Sequence, residues 1–600
     1  LGFADATDID TFLENLARFE RGEMDADAWR AFRLLRGTYG QRQEGDLSML
    51  RAKIPQGILT ADQLEALADV AAEFSRGFLH LTTRQNVQLH FVKLGEVGEA
   101  MRRLADVGIT TREACGNSVR NITTSPTAGV ARDEVFDATP YAEALTRFLL
   151  RHPLSSSLPR KFKIAFSGGG EDHTFASIND IGWYARTRDE GGKTRRGFRV
   201  TVGGGTALWS QSGRELFSFL PASEIFAVSE AILRVFHDRG DREHRKKNRM
   251  KFLIKQLGWE VWRDAVLSEL AELRESSHAP ALPFDPDAPG ELAEPPFART
   301  ARGLATDLGA LVSADRPRGP GLTPAFLPTV GDPRGERFRR TNVRAQRQAG
   351  FVTITVTIPL GDLSSGRLRG LAATARAFSE GSVRTTPGQN LVLRWVREED
   401  VDGVYAALRT LGLADPDPDS IADVTSCPGA ESCKLAVTQS RGLARTLGDA
   451  MAGDRSIVDR AKGLVVKVSG CPNGCGLHHV AGLGFQGGLR KLGQRPVPQY
   501  HVLVGGDATG DDARFGRLVA KVPARRIVEV TRRLVSLYEA KRIEGESITA
   551  YFARAAVPEL RAAIADLERL EEADATSEDF IDLGEDAAFH PETMEGECSA

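Results

Sequence analysis

Residues 39–57 read YGQRQEGDLSMLRAKIPQG, and residues 344–361 read RAQRQAGFVTITVTIPLG. Each passes from a Gln-Arg-Gln turn through a strand-like run to Ile-Pro-x-Gly. Both continue into an alanine-rich amphipathic stretch, LTADQLEALADVAAEFS (59–75) and LSSGRLRGLAATARAFS (363–379). Both then reach a strand-like run, LHLTTRQNVQLHFV (79–92) and SVRTTPGQNLVLRWV (382–396). Further on, LPRKFKIAFSGGGEDH (158–173) parallels GLVVKVSGCPNGCGLHH (463–479), and GFRVTVGGGT (197–206) parallels QYHVLVGGDATG (499–510). Single short strands match by chance; several blocks matching in one order do not. The chain is therefore read as an internal duplication. Each half runs strand, helix, strand, then a longer portion in which β-branched runs alternate with helical patterns. That predicts an α/β or α+β fold built on sheets.

The 600 residues suggest roughly four lobes of about 150 residues. A formal net charge of −3 argues against a global nucleic-acid or polyanion binder. No apolar run is long enough to span a bilayer. The N-terminal LGFADATDIDTFLENLARFERG is acidic and mixed rather than a secretory signal, so a cytoplasmic protein is expected. APALPFDPDAPGELAEPP (279–296) and RPRGPGLTPAFLPTVGDPRG (316–335) read as a Pro/Gly-rich surface linker. The acidic segment from about Asp566 reads as a solvated tail.

Six cysteines are too few for a disulfide scaffold and read as metal ligands or redox groups where they cluster. Five residues separate Cys427 from Cys433 in TSCPGAESCK, and three separate Cys471 from Cys475 in SGCPNGCG. SGGG stands at the parallel place in the first half, so the duplication is asymmetric. Zinc knuckles favour C-x2-C. Wider spacings suit a cubane, whose corners need thiolates from different directions, and four thiolates are the usual [4Fe–4S] complement. Cys115 and Cys598 have no comparable partner.

Cations occupy odd places in the first half. Arg51 lies in MLRAKIP, Arg84 opens RQNVQLH, and Arg120 follows EACGNSV. Lys161 and Lys163 flank Phe162, and strand alternation puts both on one face, as a solvated face or as the wall of an anion site. The run VGGG (202–205) could let a ligand approach the backbone but lacks nucleotide-site spacing. REHRKKNRMKFLIKQLG from Arg242 reads as a basic helix, with Arg249 and Lys251 near its apolar side.

C-x5-C with C-x3-C in SGCPNGCG, the duplication and the RKFK block together resemble the siroheme-dependent sulfite and nitrite reductases, from about Tyr39 to about Phe552. The resemblance implies an internally duplicated α+β architecture of three α/β domains, with ferredoxin-like half-domains paired about a pseudo-twofold axis around a siroheme/[4Fe–4S] centre. On this reading residues 1–125 hold an N-terminal segment and the first half-domain, and 126–278 a siroheme- and substrate-binding α/β domain. Residues 279–336 are linker, 337–410 the second half-domain, 411–555 the cluster domain and 556–600 the acidic tail. The resemblance implies cluster ligation by Cys427, Cys433, Cys471 and Cys475, with Cys475 shared with the siroheme iron. It puts Arg51, Arg120, Lys161 and Lys163 on the substrate face, and Arg84, Gln88, His90, Gly204, Gly205 and Asn473 against siroheme. Some members join a Tyr and a Cys covalently beside the site; Tyr39 and Cys115 match those positions.

The implied reaction is a six-electron reduction of sulfite to sulfide or of nitrite to ammonia. No flavin or nicotinamide fingerprint is present, so electrons are expected from a ferredoxin or a flavoprotein subunit, with no nucleic-acid or membrane partner and a monomeric enzyme. Plant-type nitrite reductases often have Asn in place of the second lysine of RKFK; Lys163 leans the reading toward sulfite. A cobalamin-pathway monooxygenase relative and a four-cysteine zinc protein are the rivals. The full cationic set argues against the first, and the cysteine spacing and near-neutral charge against the second.

Overall fold

The computed structural model describes residues 2–594 apart from 44, 245, 277–279, 289–291, 293, 296–303, 316–334 and 592–593. Much of the proposed linker, and Cys598, lie outside the described residues. Among the described residues the strands form four five-stranded sheets, two in each repeat, in an α+β fold. No described helix is long and apolar enough to cross a membrane.

The two ferredoxin-like half-domains are knitted by a reciprocal strand exchange. Asp362–Ser364, from the second half, pairs antiparallel with Phe78–Leu81 of the first. Ile58–Thr60, from the first half, pairs with Ser382–Thr385 of the second. Each exchanged strand leads into a helix, Ala61–Phe74 or Ser365–Phe378, and these helices pack on each other. Thr60 and Ser364 cap them through their hydroxyls, satisfying amides that the first turn leaves without partners. One continuous apolar core therefore serves both half-domains, from Leu50 and Leu64 to Leu371 and Leu393. The N-terminal helices Ala6–Glu20 and Ala26–Leu34 add Phe12, Leu16 and Trp29 to it.

Each larger domain has a mixed sheet with the same pattern. In the first, Thr123–Thr124, Ile164–Ser167 and Ile181–Glu190 run parallel, then Lys193–Val202 and Arg214–Pro221 run antiparallel. In the second, Thr425–Ser426, Val466–Ser469, Leu483–Leu492, Arg495–Val504 and Arg517–Pro523 repeat it. The duplication persists in backbone strain: left-handed non-glycine residues recur at matching places, Gln56 with Leu360, Gln85 with Gln389, Phe91 with Trp395, and Phe175 with Leu477. Such conformations are disfavoured for L-residues, so their recurrence marks shared constraint rather than chance.

Two expectations need correction. Residues 556–591 are not a solvated tail. Helices Val557–Ala562 and Ala565–Glu568 pack on the strand Arg517–Pro523, Phe580 is buried with Val497 and Leu570, and the Met594 amide donates to Lys434 O. Apolar residues interspersed among the acidic ones anchor this segment. The basic helix does not begin at Arg242 but at Met250, ending at Leu257. Residues 246 and 247 form a turn and a bend, where clustered like charges oppose a helical turn.

Candidate active site

A deep cleft opens where the half-domains meet both larger domains. Its wall from the first repeat includes Arg51, Arg84, Gln88, His90, Arg120, Lys161 and Lys163; its wall from the second includes Cys427, Cys433, Cys471, Asn473 and Cys475. Twelve of the fourteen residues named from sequence line it. Gly204 and Gly205 do not. A Cβ at Gly204 would stand 2.3 Å from Ser177 O, and one at Gly205 2.8 Å from Arg249 Nη1. These glycines allow close packing behind the wall, Gly204 against the turn carrying Ser177 and Asn179 and Gly205 against the Arg249 guanidinium.

The cations are held by backbone carbonyls and a buried carboxylate. Arg120 donates to Gly116 O (2.7 Å) and Ala114 O (3.3 Å). Arg51 reaches Ala114 O at 3.5 Å and lies over the Tyr39 ring. Tyr39 and Cys115 share one buried cluster with Leu34, Met49 and Ala114. Arg84 donates to Asn179 Oδ1 (2.7 Å) and Ile164 O (3.1 Å). Its guanidinium is depressed to about 9, by burial first and then by Arg120. Phe162 turns into the core while Lys161 and Lys163 face the cleft, as strand alternation predicts. Burial, then Arg84, Arg249 and Lys161, push the Lys163 ammonium well below the usual lysine range. Arg249 does turn inward, pairing with Asp180 at 2.7 Å, and Lys251 donates to Thr206 O and Trp209 O.

Opposite, the two cysteine loops converge. Cys427 and Cys471 are buried, Cys433 is partly exposed and Cys475 exposed. Burial, then Cys475, Cys427 and Cys433, push the Cys471 thiol up, and all four cysteines line the same cleft. Gly474 lets the second loop turn: its φ is 67°, and a Cβ would meet the His479 ring at 2.6 Å. The first repeat clamps both loops. Arg42 donates to Cys433 O (3.2 Å) and Ala436 O (2.6 Å), and Thr83 Oγ1 donates to Cys475 O (2.8 Å).

Sequence reasoning missed other lining residues, among them His80, Asn86, Phe175, Asn179 and Gln389. The dipeptide Gln-Asn, repeated at 85–86 and 389–390, was a visible signal for two of them.

This geometry defines a redox-type centre, a four-thiol floor facing a cationic wall in a duplicated α+β scaffold. Comparisons with known proteins agree. The model described as "Nitrite and sulphite reductase 4Fe-4S domain" matches residues 115–273 and 418–573. "Nitrite/Sulfite reductase ferredoxin-like half domain" matches 39–107 and 344–411. The chain is 30% identical to a sulfite reductase [ferredoxin] of Mycobacterium tuberculosis over 86% of its own length and 84% of the relative's. It is also 30% identical to a ferredoxin–nitrite reductase of Synechococcus elongatus, over 81% and 85%. The solved structure of the Mycobacterium tuberculosis NirA protein superposes with a TM-score of 0.71 at 28% identity, covering 94% of this chain and 98% of that one. The chain belongs to the nitrite and sulfite reductase family. It is an oxidoreductase of sulfite/nitrite type with siroheme and [4Fe–4S] cofactors.

The residues present fit both groups. Among the described residues no three Cys, His, Asp or Glu side chains close into a single-ion site; four thiols around a wider space suit a multi-iron cluster. His90 is buried with neither ring nitrogen hydrogen-bonded within the protein. A buried polar group so placed costs stability unless a ligand satisfies it, and the cations beside it suit a polycarboxylate.

Proposed function

We propose that the chain reduces sulfite to sulfide with six electrons, taking them from a ferredoxin. Cys427, Cys433, Cys471 and Cys475 would hold the cluster, Cys475 being shared with siroheme, and Arg84, Gln88, His90 and Asn473 would hold siroheme. These groups, when bound, supply the electrons and the iron at which the oxyanion is reduced.

The protein's own part is charge and protons. Arg51 and Arg120, fixed around the Ala114 carbonyl, attract and orient the anion in forks; the lysines act as point charges. Breaking S–O bonds requires the leaving oxygens to be protonated. Lys163 Nζ gives up its proton readily because burial and neighbouring cations disfavour its charged form. Lys161 Nζ faces the same cleft as a second donor.

Lys163 carries the preference for sulfite. Sulfite spreads more negative charge over more oxygens than nitrite does, and a wall of four cations matches it better. Nitrite reduction to ammonia by the same residues is the alternative, supported by the likeness to the cyanobacterial enzyme. Steady-state turnover with reduced methyl viologen, comparing kcat/KM for the two anions, tests the choice. Faster nitrite than sulfite reduction at matched concentration rejects the sulfite assignment. A ferredoxin that fails to replace the viologen rejects the donor.

A further inference from the structure

The duplication supplies an internal control for reading the cysteine side. Each half carries a buried glutamine in left-handed backbone, Gln85 (φ 57°) and Gln389 (φ 69°). Both accept a backbone N–H of the adjoining larger domain through Oε1: Gln85 from Thr124 at 3.2 Å, Gln389 from Ser426 at 2.9 Å. Those amides can only donate, so each side-chain amide orientation is fixed.

Beyond that the halves diverge. Gln85 Nε2 donates to Thr124 O (3.0 Å) and Thr385 O (2.8 Å). Gln389 Nε2 donates to Leu81 O (2.9 Å) and lies 3.1 Å from His80 Nε2. His80 Nε2 therefore accepts, and Nδ1 carries the hydrogen toward Asp362 Oδ1, 3.0 Å away. Asp362 is gripped in turn by both terminal nitrogens of Arg441. Arg441 Nε stands 2.9 Å from Glu431 Oε2, between Cys427 and Cys433. The next residue back, Ser440, has one hydroxyl hydrogen and two acceptors within reach of it, Oγ lying 2.9 Å from Cys427 O and 3.3 Å from Cys427 Sγ. Gly470 N also donates to that sulfur, at 3.4 Å.

His80 and Asp362 are register partners across the exchanged strand. Their mirror pair is Arg384 and Ile58, in which no carboxylate can anchor a chain of this kind. The mirrored loop also lacks cysteines. The network accompanies the cysteines, and the scaffold alone does not demand it.

We infer that His80, Asp362, Gln389 and Arg441 are positioning residues for the cluster: they grip the loop at Ser426 and Glu431 so that Cys427 and Cys433 stand ready, while Ser440 Oγ turns its one hydrogen from Cys427 O to Cys427 Sγ once that sulfur is a thiolate. The inference rests on the ligand assignment above. Outer-shell partners orient metal ligands and tune the centre, and hydrogen bonds to ligand sulfurs raise a cluster's potential by stabilising its more negative reduced form.

The test uses the purified holoenzyme and the variants Gln389→Ala, Gln85→Ala, Ser440→Ala and Ser440→Thr. Readouts are iron per chain, iron loss to a chelator, and the cluster midpoint potential followed by EPR. Gln389→Ala is expected to lose iron about 10-fold or more faster than wild type, or to load no cluster. Gln85→Ala, which removes the matching hydrogen bonds in the other half, retains iron as wild type does. Ser440→Ala shifts the potential downward, and Ser440→Thr restores it. Equal effects of Gln389→Ala and Gln85→Ala on iron retention overturn the positioning role. An unchanged potential in Ser440→Ala overturns the sulfur hydrogen bond. A wild type without a four-iron signal overturns the ligand assignment itself, and this inference with it.

Discussion

Lys163 hangs from Asp180: its backbone N–H donates to Asp180 Oδ2 at 2.8 Å. The same carboxylate, itself fully buried, pairs with the largely buried Arg249 at 2.7 Å. Removing it by Asp180→Ala leaves a buried guanidinium without its counter-charge and frees the lysine's backbone. We expect a loss of roughly 3–5 kcal/mol, read as a lowered midpoint in urea unfolding. Arg249→Met added to Asp180→Ala recovers part of it, because no charge is then stranded.

Lys163→Asn keeps a polar side chain and removes the charge and the labile proton. Sulfite turnover is expected to fall about 100-fold or more, the scale of a lost general acid, and the sulfite-to-nitrite ratio of kcat/KM to fall with it. An unchanged ratio in viologen-driven assays removes the case for sulfite.

Asp423 predicts a pH dependence of stability away from the cleft's cations. It accepts from Asn390 Nδ2 (2.6 Å) and Asp419 N (2.8 Å). Burial, then Asp419, push its carboxyl up to about 7. Between the ordinary carboxylate range and pH 7 the folded state binds more protons than the unfolded one, so this group's contribution falls as pH rises through that window. Asp423→Asn should flatten the dependence. Thermal midpoints at pH 5 and pH 8 should differ less in the variant than in wild type, with its relative gain at pH 8.

Arg394 and Glu380 form a buried bidentate pair in the second half-domain, at 2.7 and 2.9 Å. Glu380→Gln strands the arginine and should cost roughly 3–5 kcal/mol in chemical unfolding. Iron content per folded chain should match wild type, since neither residue lines the cleft.

The strand exchange explains why part of this was legible and part was not. Repeated blocks betrayed the duplication because both copies must satisfy the same backbone, down to left-handed Gln85 and Gln389. The four cysteines were legible because each close pair sits on one loop, and the lysines because strand alternation fixes which face they share. Gly204 and Gly205 were not legible: a glycine that admits a ligand and one that admits a close neighbour look alike in sequence. The C-terminal segment misled because its composition is acidic while its few apolar residues, Leu570 and Phe580, find a groove that no local pattern announces.

The sequence by itself determined the repeat, the thiol set and the cations, since these depend on residue type and short spacing. Only the tertiary structure decided that the cations of one repeat face the thiols of the other. That meeting depends on Asp362–Ser364 crossing to Phe78–Leu81, a contact between segments nearly 300 residues apart. Its driving force is a core shared by both halves, non-directional burial that leaves no local signature. The same crossing brings His80 to Asp362 and so to the cysteine loop.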